Sequence, residues 1–404
     1  MLVFFLQWVN YDFFLFFLEI FNIFLLFTGL NGTLKSLKTI NVYGYLSNNN
    51  DFTNVAVMLG LSAARRGTSD NMIYKILSLR LECLLPPTST DLEISPMCRT
   101  ASCMGIGLLF QGTGNSFIVE VLLNDIGKPP GPEMENHMDR ESYSLTAGIA
   151  LGMVALGKGN SLDPYISPDG NTIPVQLNHY MNGAHKKTTC IVREQQRAAS
   201  FHVQEGKVIN SNVTSPGAIL ALGLLYFNLN NPIITSWMKV PETQILLEYI
   251  RPDFLFLRMI AYSLVNWNEV VATKEWIMSH FPKILQDFFE KDKESLDKMQ
   301  DFDRPYDYKL LGQCFCNILA GIAFSLALKY AGSHNMEAYM LIDDFIQKIF
   351  DTHQAKSAIP YLTETGKFTL ETTINSLLSK LFLNFFLNIK SLLLFIYYFQ
   401  FLAL

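Results

Sequence analysis

CMGIGLLFQG (Cys103–Gly112) and GIALGMVALG (Gly148–Gly157) are built almost wholly of Gly, Ala, Leu, Ile and Met, and they start 45 residues apart. Neither run alternates apolar with polar residues as a half-buried strand would. Glycine inside a helix costs about 1 kcal/mol relative to alanine, so Gly105 with Gly107 and Gly148 with Gly152 need a compensating gain. Close approach of neighbouring helix backbones supplies one.

The two runs belong to an internal repeat. Ser62, Gly107 and Gly152 are spaced by 45 and again by 45 residues, and each is followed five residues later by Gly67, Gly112 or Gly157. The register continues beyond the glycines, where Thr68 matches Thr113, Ile73 matches Ile118 and Leu77 matches Leu122. Weaker copies put Gly223 and Asn228, Ser263 and Asn268, and Ala327 and Gly332 in the same two places, at spacings of 71, 40 and 64 residues. Loops of differing length therefore interrupt a common unit. A period of this size fits both helical pairs and propeller blades. The apolar residues of SFIVEVLLNDIG recur at three and four, which selects helices. Each unit reads as a small-residue helix, a turn at the second glycine and a longer apolar helix. The expected fold is all-α, a curved solenoid with the small-residue helices on its crowded inner side.

Pro129-Pro130-Gly131-Pro132 ends the helix before it, because proline lacks the amide donor and restrains its predecessor. Asp139 is placed to cap the next helix, with Glu141 in its first turn. Residues 158–214 read as an insertion made basic by Lys186, Lys187, Arg193, Arg197 and Lys207, either a solvated loop or a partner-binding one. Within it SFHVQEGKVINSNV suits a small β-hairpin turning at Gly206. A second insertion, 287–303, carries seven carboxylates against three lysines and reads as a solvated connector.

A net charge of -5, with no basic stripe interleaved with aromatics, gives no reason to expect a nucleic-acid partner. The six cysteines show no zinc spacing and read as reduced, buried thiols. GIGLLFQG misses the dinucleotide pattern, and neither a phosphate-binding G-x4-G-K-[ST] loop nor H-E-x-x-H occurs. The expectation is no catalytic residue, no metal, no cofactor and no small-molecule substrate. The ends differ from the middle: nine phenylalanines fall between Phe4 and Phe27, and six between Phe382 and Phe401. Residues 1–50 and 377–404 fit translated non-coding sequence at the edges of a gene model, membrane segments, or buried core helices. Asp12 and Glu19 in the first stretch and Lys390 in the second weigh against a bilayer.

The small-residue units resemble the proteasome/cyclosome repeat. LGLSAARRGTSD, MGIGLLFQGT, IGKPPGPEMENHMDRESYSLTAGIALGMV and VTSPGAILALGLLY resemble the subunit 1 family of the anaphase-promoting complex, or cyclosome, with the likeness running over residues 53–376. The resemblance implies a toroid-like α-solenoid in a non-catalytic scaffold of a cell-cycle ubiquitin ligase. It also implies cullin-like, RING and helical-repeat subunits and a co-activator as partners, in nucleus and cytoplasm. Two alternatives remain open, a scaffold of the proteasome regulatory particle and a membrane protein with Gly-rich packed helices.

Overall fold

The computed structural model describes residues 25–37, 39–47, 50–85, 94–128, 137–162, 171–183, 209–290, 307–333 and 335–344. Helices account for the regular structure there, and no strand occurs among the described residues. The chain divides into two compact units, residues 1–184 with 205–225, and residues 185–204 with 226–404.

The first unit contains α1 (Thr39–Leu46), α2 (Asp51–Ala64), α3 (Asn71–Ser78), α4 (Pro96–Leu109), α5 (Ser116–Gly127), α6 (His137–Val154), α7 (Ile173–Asn182) and α8 (Ser211–Leu225). The small-residue helices α2, α4, α6 and α8 pack on one another in that order, while α3, α5 and α7 pack beside α4, α6 and α8. Polar side chains start these helices where the sequence supplies them. Asn50, Asp70, Ser95 and Asn115 accept from the first-turn amides of α2 to α5, satisfying donors that have no partner within the helix. The companion helices drive their apolar faces inward, with Ile73, Ile76 and Leu77 of α3 and Ile118, Leu122 and Ile126 of α5 all buried.

The second unit contains α9 (Pro232–Met238), α10 (Gln244–Leu247), α11 (Pro252–Val265), α12 (Lys274–Ser279), α13 (Lys283–Glu290) and α14 (Tyr308–Tyr330). Its core joins Leu255 and Met259 of α11, Ile277 of α12, Leu285 of α13 and Ile318, Ile322 and Leu326 of α14, closed by a Phe281–Phe315 stack at 4.8 Å. The stretch Leu310–Tyr330 is long and apolar enough to cross a membrane, and most of it is buried in this packing.

Three local expectations are revised. The helix after the proline run begins at His137, so Asp139 lies inside its first turn, where it still complements the helix dipole. Residues 158–214 contain a full companion helix, α7, started by Pro174 in its first turn. Most of the proposed hairpin lies outside the described residues, and its last three, Ser211 to Val213, open α8. Lys186, Lys187, Arg193, Arg197 and Lys207 also lie outside the described residues.

Candidate functional site

The repeat positions form two linked devices, a close helix contact and a turn. At the contact, a Cβ on Gly107 of α4 would stand 2.6 Å from Ala150 Cα of α6. A Cβ on Gly152 of α6 would stand 2.7 Å from Leu224 Cβ and 3.2 Å from Ala221 Cα of α8. Gly105, on the other side of α4, leaves room for Ser62 Oγ of α2. Gly148 of α6 lies against the backbone of Gly217 of α8, and Gly217 in turn leaves room for Ser144 O of α6. Ser62 is fully buried and spends its hydroxyl on Met58 O, 2.7 Å away and four residues earlier on α2. Gly223 is buried within α8, and Ser263 is buried in α11 of the second unit. In that unit Gly321 takes the glycine role, because a Cβ there would lie 2.6 Å from Phe256 O of α11.

At the turn, Gly67, Gly112, Gly157, Asn228 and Gly332 all have positive φ, between 57° and 68°. The left-handed conformation reverses the chain at the helix end and aims amides at the next repeat. Gly67 N–H donates to Leu108 O at 3.0 Å, and Ser69 N–H to Leu109 O at 3.1 Å. Gly112 N–H donates to Met153 O and Gly114 N–H to Val154 O, both at 2.9 Å. Gly157 N–H donates to Leu224 O at 3.1 Å. In the second unit Asn228 N–H donates to Leu264 O at 2.9 Å, and Asn230 N–H to Val265 O at 3.1 Å. The acceptors are last-turn carbonyls of α4, α6, α8 and α11, groups that have no partner within their own helix. The turns at Gly67, Gly112 and Gly157 therefore satisfy the open ends of α4, α6 and α8 in the first unit, and the turn at Asn228 that of α11 in the second, all backbone to backbone.

Four of these turns hold a second left-handed residue that the repeat register does not single out. Ser69, Gly114, Gly159 and Asn230 also have positive φ, two residues on. The signal was there in Gly-Thr-Ser, Gly-Thr-Gly, Gly-Lys-Gly and Asn-Leu-Asn. Asn268 does not join the set. It is exposed in a 3-10 turn, Trp267–Glu269, without positive φ. There a side chain from α14 replaces the backbone donors: Lys329 Nζ donates to Trp267 O at 2.9 Å and lies 5.1 Å from the centre of the Trp267 ring. Ala327 sits half-buried in the same helix.

No group of three or more His, Cys, Asp or Glu side chains suited to a metal occurs among the described residues. The five described cysteines are all held above the ordinary thiol range by burial. Cys314 and Cys316 are pushed up to about 12, while Cys83 is raised by burial first and then by the Asp125 carboxylate. Asp125 itself is buried and accepts from Tyr143 Oη at 2.6 Å, tying α5 to α6. A thiol needs a lowered pKa to act as a nucleophile, and these have the opposite. What the arrangement offers chemically is rigid attachment.

Residues 71–382 match the family model described as APC1 fifth domain, and residues 23–66 match APC1 fourth domain. Among curated proteins, the chain is 39% identical over 357 residues to anaphase-promoting complex subunit 1 of Homo sapiens, covering 87% of this chain and 18% of that protein. It is 30% identical over 335 residues to the Arabidopsis thaliana protein of the same name, covering 82% and 19%. It is 29% identical over 309 residues to the negative regulator of mitosis of Emericella nidulans, covering 75% and 13%. The chain thus spans about a fifth or less of the length of these relatives. With its glycine contacts and its turns from Gly112 onward lying inside the matched spans, the chain belongs to the anaphase-promoting complex subunit 1 family.

Proposed function

We propose that the chain is part of a non-catalytic scaffold subunit of the anaphase-promoting complex, the cell-cycle ubiquitin ligase that controls the metaphase–anaphase transition and mitotic exit. The observation that carries this reading is the joining of successive repeats by backbone hydrogen bonds within the span that matches the family. An array fixed this way holds a wide surface in one shape, which is what positioning other subunits requires. The raised thiols support a non-catalytic role, since thioester-forming ligases need an accessible, activated cysteine. In this reading the repeats close into a toroid-like solenoid, the partners are cullin-like, RING and helical-repeat subunits with a co-activator, and the protein resides in nucleus and cytoplasm. The basic segment containing Lys186, Lys187, Arg193, Arg197 and Lys207 is a partner-binding loop.

The test is purification of the tagged protein from dividing cells, paired with its depletion. A cullin-like and a RING subunit should co-purify, and depleted cells should stall before anaphase. Recovery with proteasome subunits instead would reject the assignment. Incubated alone with ubiquitin-activating and conjugating enzymes, the chain should form no thioester. A reducible ubiquitin adduct on any of its cysteines would show that the non-catalytic reading is wrong.

A further inference from the structure

The last described residues of the second unit form an unfinished repeat. After α14 come a turn at Gly332 and a companion helix, α15 (residues 336–344), which Asn335 starts by accepting from Ala338 N–H at 2.9 Å. Asp70, Asn115 and Asn231 start α3, α5 and α9 in the same way, so the companions can be compared position by position from these caps. Seven residues on, Leu77, Leu122 and Met238 are buried, but Ile342 is only half-buried. Four residues on, Val119 is buried and Tyr74 and Thr235 are half-buried, but Tyr339 is 64% exposed. Met336 and Met340, three residues before it and one after, are exposed as well. A companion face that is covered in the earlier repeats is open here.

The small-residue helix before it is open on the corresponding side. Ser62, Gly107 and Gly152 are buried against the small-residue helix that follows each of them. Met58 and Gly148, four residues earlier, meet that helix too: Ser102 Oγ donates to Met58 Sδ at 3.3 Å, and Gly148 lies against Gly217. The equivalent residues of α14, Ala327 and Ala323, are small enough for such a contact and only half-buried. The turn is open as well. Gly332 has the φ of 68° that aims an amide at the next repeat, yet its N–H donates to no carbonyl among the described residues, where Gly67, Gly112, Gly157 and Asn228 each find one. A helix side, a turn amide and a companion face, three parts of one joint, therefore lack the same neighbour.

We infer that this neighbour is residues 371–382 of the same chain, seated as the next small-residue helix across α14 and α15. In the first unit each companion helix packs beside the small-residue helix that follows it in sequence, so the open joint calls for a helix further along the chain. The connection fits, since residues 345–370 make a link longer than 128–136 ahead of α6 and shorter than 183–210 ahead of α8. Composition fits too. Thr372, Ser376 and Ser379 recur at four and three, which puts small side chains on one helical face, and Ile374, Leu377, Leu378 and Leu381 lie between them. The small face then approaches Ala323 and Ala327 closely, and the apolar residues cover Tyr339 and Met340. The last-turn carbonyls of the seated helix, which have no partner inside it, accept from Gly332 N–H. The match to the family model also continues to residue 382. The inference concerns one joint within the chain and stands whatever complex the protein enters.

In the full chain, a benzophenone side chain placed at position 339 and irradiated should crosslink to residues 371–382 of the same molecule, as located by peptide mass spectrometry. Ser376→Phe puts a large side chain on the small face, and should cut that crosslink about tenfold and quicken hydrogen exchange at Gly332 N–H about tenfold. Ser391→Phe, the same change outside the segment, should leave both unchanged. Exchange at Asn228 and Asn230, in the same unit, should stay as in the parent, which separates loss of the joint from loss of the fold. The parent-chain crosslink decides the seat by itself, without any variant. A crosslink to a second copy, a crosslink to residues 1–24 or 383–404, or no crosslink at all would overturn the proposal. So would equal exchange at Gly332 in the parent and in Ser376→Phe, or an equal loss in Ser391→Phe.

Discussion

At Gly107 the atoms a side chain would meet are the Cα and Cβ of Ala150, and backbone cannot swing aside as a flexible side chain can. Gly107→Val and Gly152→Leu should therefore each destabilise the first unit by about 1–3 kcal/mol or more through overpacking. Gly44 in α1 has nothing within 4 Å of its would-be Cβ. Gly44→Ala should leave stability unchanged or raise it by up to about 1 kcal/mol. Urea unfolding of the three variants separates helix propensity from close packing, and equal midpoints would remove the packing account. Gly107 and Gly152 were legible in sequence because a helix interior penalises glycine unless something offsets it. Asn268 stands in the turn that follows α11, without positive φ, and there Lys329 of α14 bonds the Trp267 carbonyl. A further residue, His280, sets a pH response. Its ring packs edge-on against Tyr262 and Trp276, and burial lowers its pKa below the usual 6.5, although Nδ1 has Trp276 O at 2.7 Å. Because the unfolded chain then takes up the proton first, His280 contributes fully above about pH 6.5, and that contribution is lost as pH falls. Thermal midpoints at pH 7.5 and 5.5 should differ less in His280→Phe than in the parent chain.

Elements differ in how they close on the next repeat. Four turns use backbone amides, and one uses Lys329 of α14 on Trp267 O. Lys329→Met keeps the apolar stem and removes both the donor and the cation over the Trp267 ring. Hydrogen exchange in residues 266–273 should quicken in that variant while the turn at Asn228 keeps its protection. Unchanged exchange at 266–273 would mean that Lys329 does not hold this turn. The sequence made the small-residue helices and the apolar companions legible because their periodicity reports burial directly. It concealed α7, which lies in a stretch with no glycine pair to mark its repeat, and the first residues of α6, since Glu135, Asn136 and Asp139 are all plausible helix-starting residues. The hairpin reading at 200–213 went astray at its end because Asn210, Ser211 and Asn212 are good turn residues and equally good helix starters. Asn210 O accepts from both Val213 and Thr214 at the opening of α8.

For the molecule as a whole, a family could be read from four strings, while the mechanics of the repeat could not. Hydrophobic pattern specifies which residues are inside, but the partner of an open helix carbonyl is set by the neighbouring repeat, which pattern alone does not position. Repeat arrays take their stability from such nearest-neighbour interfaces, so a loss at one interface should spread to the adjoining units. The most direct test of backbone-joined repeats is residue-resolved hydrogen exchange at the turn amides of Gly67, Ser69, Gly112 and Gly114. If the turns are bonded as described, these amides exchange as slowly as those in the middle of α6, and Gly152→Leu speeds Gly112 and Gly114 together. Exchange at the rate of an open loop in the parent chain would contradict the account.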